Sequence, residues 1–383
     1  MNNKKSNRLY IYHTFLSRKP SLGQFHSIKE LTHQLDYIQE LGMNAVLTNP
    51  IFESSDDSHG YHIKNFYEID GRLGTMNDFE ELLRELKKRH MYFIMDICLQ
   101  HCSDQSYYYK DFLQGKNDFF VVKSWPENDT VTNLRNSKYE YRKDVNGYLI
   151  APFNGMIPAL NVDSPNVRNE MKNVLNFWLR KSDNIHLRAD AIMHNKWSNK
   201  NHDGIPYAKF IREVVDEINP NIQIIAEVWN EYNLRNEPIE YNKVLRNTFD
   251  FYNVFSLVHQ IREGRNYDEL YIDQCYEYPT TIFTSNHDLS TITSMLDNDI
   301  NKVKMYLKAI VEKSRDCDNV SFYYGVEENR PGLLWDCSDE VVRQPYDIFD
   351  MARVIQDKNS LFYYIKDLIK KDKERRGIIN END

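Results

Sequence analysis

The sequence predicts an α/β fold, a (β/α)₈ TIM barrel with a small inserted subdomain. Three observations predict it. Strand-like and helix-like segments alternate along the chain, eight apolar runs read as buried parallel strands, and three runs end on a carboxylate. The carboxyl ends of the strands form the catalytic face of such a barrel, so acids arriving there from separate strands mark a reaction centre.

The expected strands are residues 9–14, 45–48, 92–97, 185–190, 222–227, 248–252, 281–285 and 320–324. Amphipathic stretches lie between them. Phe79, Leu82, Leu83 and Leu86 form one helical face; Met171, Val174, Leu175, Trp178 and Leu179 form another. Ser164–Pro165 starts the second with an N-cap and a proline at the first helical position. Residues 102–163 are too long for a simple connection and are crowded with aromatics, among them Tyr107, Phe119, Trp125, Tyr139 and Phe153. They are expected to form a loop-rich subdomain over the barrel mouth, leaving 1–101 and 164–383 as the barrel. A last helix is expected after Ser360, with the charged end from Lys370 to Asp383 fraying.

Composition narrows the function. A net charge of −9 without a basic block argues against nucleic acid. No run suggests a signal peptide or a membrane span. The five scattered cysteines (Cys98, Cys102, Cys275, Cys317 and Cys337) read as reduced thiols in a cytoplasmic protein. Cys98 and Cys102 flank His101, but no second Cys/His pair matches, so buried thiols are expected rather than a metal site. The 26 Tyr, 19 Phe and 5 Trp suit a sugar ligand, whose apolar ring faces stack on aromatics, although core packing accounts for most of them.

Asp190 closes the run from Ile185, Glu227 the run from Ile222, and Asp288 the run from Ile282. Each lies in a local pattern. Arg188-Ala189-Asp190 is followed by His194, Glu227 by Val228-Trp229, and Asn286-His287 precedes Asp288. Upstream stand His59-Gly60-Tyr61 with Phe66-Tyr67, and Asp96-Ile97-Cys98-Leu99-Gln100-His101. Ile157-Pro158-Ala159-Leu160-Asn161 closes the insertion, and Phe322-Tyr323-Tyr324-Gly325 lies on the last strand. Each motif alone is weak. Together, in this order, the chain resembles the α-amylase family of retaining glycoside hydrolases and transglycosylases.

The resemblance implies Asp190 as nucleophile, Glu227 as general acid and then base, and Asp288 as stabiliser of the charged ring. It implies that His101 and His287 bond sugar hydroxyls, that Tyr61 stacks beneath the ring, and that His194 touches the next sugar. Arg188, two residues before Asp190 on the same strand face, would keep the nucleophile ionised.

Several positions depart from the family pattern. Gln100 and Ala159 stand where the family usually carries calcium ligands, so no calcium is expected, nor any other metal or cofactor. His186 replaces the usual Gly, and its bulk beside the nucleophile strand is expected to narrow or reshape the pocket. His62 replaces an Asp that helps many exo-acting members fix the substrate end. Val326 replaces an acid, with Glu327 following. The all-β C-terminal domain usual in the family is expected to be absent, and a homodimer is one way to cover the barrel surface this exposes.

The leading expectation is a hydrolase or transglycosylase of α-linked glucosides such as maltooligosaccharides, working through a covalent glycosyl-Asp intermediate. Two alternatives stand beside it. One is phosphorolysis, isomerisation or transfer to a non-glucan acceptor with the same triad. The other is a degenerate barrel that binds carbohydrate without turnover.

Overall fold

The computed structural model describes residues 8–57, 59–124, 139–198, 201, 203–230, 233–334 and 339–377. The strands in chain order are β1 (Tyr10–His13), β2 (Ala45–Leu47), β3 (Phe52–Ser54), β4 (Ile63–Ile69), β5 (Tyr92–Ile97) and β6 (Val122–Lys123). They continue with β7 (Tyr139–Arg142), β8 (Gly147–Ile150), β9 (Ile185–Ala189), β10 (Ile224–Ala226), β11 (Thr281–Phe283) and β12 (Asn319–Tyr323). Seven of them form one parallel sheet in the order β10-β9-β5-β2-β1-β12-β11. Helices cover its outer face, so every residue of β1, β9, β10, β11 and β12 is buried, and the strands read as continuous apolar runs.

The barrel closes through residues 248 and 249, where the sequence predicts a full strand over 248–252. Phe249 N donates to Ala226 O at 3.0 Å and Thr281 N to Thr248 O at 2.8 Å, joining the two sheet ends. The strand stops there because Asp250 caps a helix, its carboxylate accepting from Asn253 N at 3.1 Å. Phe251 and Tyr252 are therefore helical, against their β-propensity.

The helices are α1 (Ile28–His33), α2 (Leu35–Glu40), α3 (Met76–Lys88), α4 (Tyr107–Leu113), α5 (Pro165–Leu179) and α6 (Ile205–Ile218). After them come α7 (Asn236–Leu245), α8 (Phe251–Arg262), α9 (Ile292–Met295), α10 (Ile300–Glu312), α11 (Ile348–Gln356) and α12 (Leu361–Arg375). The two faces expected on α3 and α5 are buried, and the Ser164 hydroxyl accepts from Asn166 N and Val167 N at the start of α5. Contrary to the expected fraying, residues 370–375 continue α12. Asp372 is buried there and accepts the Tyr10 hydroxyl at 2.6 Å, which ties the helix to β1.

Between β5 and β9 the chain forms α4 and a small antiparallel sheet, β6-β8-β7. Trp125 and Cys337 lie outside the described residues. β3 and β4 pair antiparallel and carry the loop that holds Tyr61. Arg18 pins the base of that hairpin, with Nε on Asp70 at 2.7 Å and Nη2 on the carbonyls of Pro50 and Phe52. Gly60 is required in the loop: its φ is +90°, and a Cβ would strike Arg18 and the Pro50 carbonyl. Among the described residues no helix is long and apolar enough to cross a membrane.

Candidate active site

Asp96 near the end of β5, Arg188 on β9, and Asp190 and Glu227 just beyond β9 and β10 converge at the carboxyl end of the barrel. Arg188 is their common cation. Its Nη1 lies 2.6 Å from Asp96 Oδ2 and 2.8 Å from Asp190 Oδ1, and its Nη2 lies 2.7 Å from Glu227 Oε2. The register explains the first contact, because Asp96 and Arg188 are direct partners across the β5–β9 ladder. Glu227 Oε2 also accepts from Ala191 N at 3.0 Å, so two donors orient this carboxylate.

Asp288 follows β11 on a short turn, its own N–H donating to Asn286 Oδ1 at 2.9 Å. His287 Nε2 and Arg343 Nη2 hold its carboxylate at 3.1 and 2.8 Å, while 48% of the side chain stays accessible to the cavity. The Tyr61 hydroxyl joins both groups. It donates to Asp96 Oδ2 at 2.7 Å and lies 2.9 Å from His287 Nε2. The Tyr61 ring stacks on His287 with centroids 5.5 Å apart.

Burial raises the Asp190 carboxyl well above its ordinary range; Arg188 opposes this, and the Glu227 and Asp96 charges reinforce it. Asp96, on the same guanidinium, is raised as well, again by burial and against Arg188. Asp288 behaves in the opposite way. Its recessed position would raise it, but His287, Arg343 and Arg188 prevail and hold it ionised well below the usual range. Burial pushes the His101 imidazole down to about 3, so it is neutral, and beyond a marginal contact with the Tyr61 backbone neither of its nitrogens has a hydrogen-bond partner.

These residues line a cavity of about 560 Å³. Asp190, Glu227, Asp288, Tyr61, His101 and His194 all face it, with Arg188 directly behind the first two. His287 sits behind Tyr61 and Asp288. Trp229 lies on the wall beyond Glu227, and Phe153 comes in from the insertion, its ring 4.7 Å from His194 and 5.4 Å from His101. His62 lines the cavity at the position where the family usually has Asp.

His186 does not narrow the pocket. It lies four residues before Asp190, ~13 Å lower in an extended strand, and is not among the cavity-lining residues. Its ring stacks on Tyr92 at 4.6 Å, and its Nδ1 accepts from Gln223 N at 3.2 Å. Glu327 also points away from the cavity and is buried beneath the hydroxyls of Tyr12 and Tyr37.

The positions associated with calcium do not suit a hard cation. Gln100 Nε2 donates to the Asp190 carbonyl at 2.8 Å, and Ala159 pairs through its backbone with His101. One amide oxygen and no carboxylate is a poor set for calcium.

Residues missed by sequence reasoning complete the site. Asp96 had a signal, since it opens a motif and lies opposite Arg188 in register. Arg343 and Asp339 had none. They come from the segment after β12, where Arg343 Nη2 bridges Asp288 and Asp339 at 2.8 Å each and its Nε donates to the His287 carbonyl at 2.9 Å.

Known proteins resemble this chain in sequence and in fold. The "Alpha amylase, catalytic domain" model matches residues 17–378. Alpha-amylase 3 of Dictyoglomus thermophilum is 28% identical over 331 residues, covering 82% of this chain and 62% of that protein. The oligo-1,6-glucosidase of Bacillus cereus is 29% identical over 162 residues, 40% of this chain and 29% of that protein. The matched region thus spans less than two thirds of either relative's length. The solved alpha-amylase from H. orenii has the same fold, with a TM-score of 0.79 at 22% identity over 96% of this chain and 82% of that one. A match over nearly the whole chain, to the catalytic-domain model in particular, places this protein in the alpha-amylase family.

Proposed function

We propose that this chain is a retaining enzyme of α-linked glucosides such as maltooligosaccharides, acting by hydrolysis or by transfer to a second sugar. The observation that carries the reading is the bracketing of one guanidinium by Asp190 and Glu227, with Asp288 ionised and open to the same cavity. Relatives named alpha-amylase and oligo-1,6-glucosidase support the substrate class.

In the first step Glu227 gives its proton to the glycosidic oxygen as the bond to the anomeric carbon breaks. Asp190 attacks that carbon from the other face and forms a glycosyl ester. Arg188 and Ala191 N–H occupy Glu227 Oε2, which leaves Oε1 to present the proton. Asp190 enters this step as the carboxylate and Glu227 as the acid. In the second step Glu227 takes a proton from water or an acceptor hydroxyl, whose oxygen displaces Asp190. Asp288 and its guanidinium partner steady the charged ring through both steps. His101 bonds ring hydroxyls, whereas His287, expected to do the same, is buried behind Tyr61 and Asp288 and orients those two groups instead. Tyr61 lies beneath the ring, and His194 with Phe153 meets the neighbouring sugar. The free thiols Cys98, Cys102, Cys275 and Cys317 support a reducing, cytoplasmic setting.

The test is turnover of aryl α-glucosides and maltooligosaccharides, with and without phosphate, with product anomers followed by NMR. Initial α-product and independence from phosphate are expected; initial β-product overturns retention. Asp190→Asn should abolish turnover with the fold intact, and wild-type rates in that variant would remove Asp190 from the nucleophile role.

A further inference from the structure

We propose that Cys98, His101 and Asp190 form a site for one thiophilic divalent cation, with zinc as the reference ion, and that filling it switches the enzyme off. The inhibition rests on Asp190 being the nucleophile; the binding does not.

The three ligand atoms lie within 4.8 Å of one another, and all three residues are buried. A thiolate, an imidazole and a carboxylate are a tetrahedral zinc set with the fourth position open to water. Zinc bonds of 2.0–2.3 Å place ligand atoms about 3.5 Å apart, so the site closes by shifts of about 1 Å. His101 is prepared for this, because it is neutral and neither nitrogen makes more than a marginal contact, with the Tyr61 backbone. Arg188 holds Asp190 Oδ1, which leaves Oδ2 for the metal.

The charge around the site also favours a cation. Among the described residues, Asp96, Asp190, Glu227 and Asp288 outnumber the guanidiniums of Arg188 and Arg343 that they meet, with His287 also on Asp288. His101 and Asp190 line the cavity, which gives the ion a route in. Cys102, the other thiol beside His101, is turned onto the Ser106 hydroxyl at 3.4 Å and takes no part. On binding, the Cys98 thiol releases its proton to solvent as the sulfur–metal bond forms, so affinity rises with pH. Asp190 then has no free oxygen with which to attack an anomeric carbon.

The experiment titrates the full chain with zinc, measuring bound metal after dialysis and turnover of an aryl α-glucoside, and repeats the titration with cobalt. One zinc per chain is expected, with turnover lost in proportion, restored by a chelator and protected by maltooligosaccharide. Cobalt should show thiolate charge-transfer absorption. Cys98→Ser should lose that absorption and bind zinc at least about 10-fold more weakly, its inhibition being read against its own zinc-free turnover because the Cys98 thiol hydrogen-bonds Asp190. His101→Ala, read only for binding and thermal unfolding, should weaken zinc similarly. Cys98→Ser that binds zinc and is inhibited like wild type overturns the proposal, as does stoichiometric binding that leaves turnover unchanged. A chain that turns over no glucoside fails the functional reading, while dialysis and the cobalt spectrum still decide the site.

Discussion

Replacing Arg188 with Met tests the charge arrangement of the site without reference to catalysis. The guanidinium touches Asp96, Asp190 and Glu227 at 2.6–2.8 Å, and its side chain is only 4% exposed. Removing one partner of a buried ion pair costs about 3–5 kcal/mol, because the charge left behind has no compensation. Here the three carboxylates share one cation, and they escape part of the penalty by taking up protons. We expect a loss of about 4 kcal/mol at pH 7. The sign of the pH dependence follows from linkage. Without Arg188 the buried carboxyls titrate above their unfolded values of about 4. They cost nothing while protonated in both states, so the penalty is small at pH 4 and grows as pH rises through their folded values. Urea unfolding of both proteins at several pH values between 4 and 7 measures it. In a Glu227→Gln background the loss should shrink by about 1 kcal/mol or more, since one carboxylate no longer needs the cation. A loss below about 1 kcal/mol at pH 7, or one that does not change with pH, would refute the reasoning.

Arg343→Gln removes the charge-assisted bond that helps keep Asp288 ionised. Such a bond is worth about 1.5–3 kcal/mol, so kcat/KM should fall about 10- to 100-fold with little change in thermal unfolding. An unchanged kcat/KM would remove Arg343 from the site. Burial lowers the His186 imidazole to about 4, so the unfolded chain binds its proton first as pH falls below about 6.5. Stability should therefore drop between pH 6.5 and 4, with this residue contributing at most about 3 kcal/mol, and His186→Gln should flatten that part of the profile in calorimetry. Phe153→Ala should raise KM for maltooligosaccharides more than for an aryl glucoside, because the ring lies beside His194 rather than against the carboxylates. Equal changes for both substrates would place Phe153 elsewhere.

The barrel and its three acids were legible in the sequence because both rest on local rules. A strand buried on both faces is a run of apolar residues, and a carboxylate that ends it must lie at the mouth. Residues 248–252 broke the first rule because the Asp250 cap overrode β-propensity, a competition that the apolar pattern does not display. His186 shows a limit of the second. Strand position also sets how deep a side chain sits, and four residues before the mouth it packs on Tyr92 instead of reaching the ligand. Arg343 was hidden for a different reason. Its segment is placed by tertiary bonds, with Gly23 N donating to the Arg343 carbonyl at 2.6 Å and Tyr346 N to the Gly23 carbonyl at 3.2 Å. Cys98 and His101 have the same history, since their spacing suggests metal ligands only once the end of β9 brings Asp190 within 4.8 Å of both.

These cases divide along a physical line. Groups whose position depends on one strand are readable from that strand. Groups that neutralise or test those charges arrive from elsewhere in the chain, because a buried carboxylate needs a partner and its own neighbours along the strand point to the opposite face. Arg188 is the exception that supports this: two residues from Asp190, it shares its face and could be named in advance. By the same reasoning, the proposed function would take its substrate choice from the parts of the wall supplied by other segments: Phe153 from the insertion, His62 from the β3–β4 loop, and Asp339 with Arg343 after β12. If the chain acts as proposed, exchanging those residues should change which glucoside is accepted, while Asp190 and Glu227 continue to set whether any reacts.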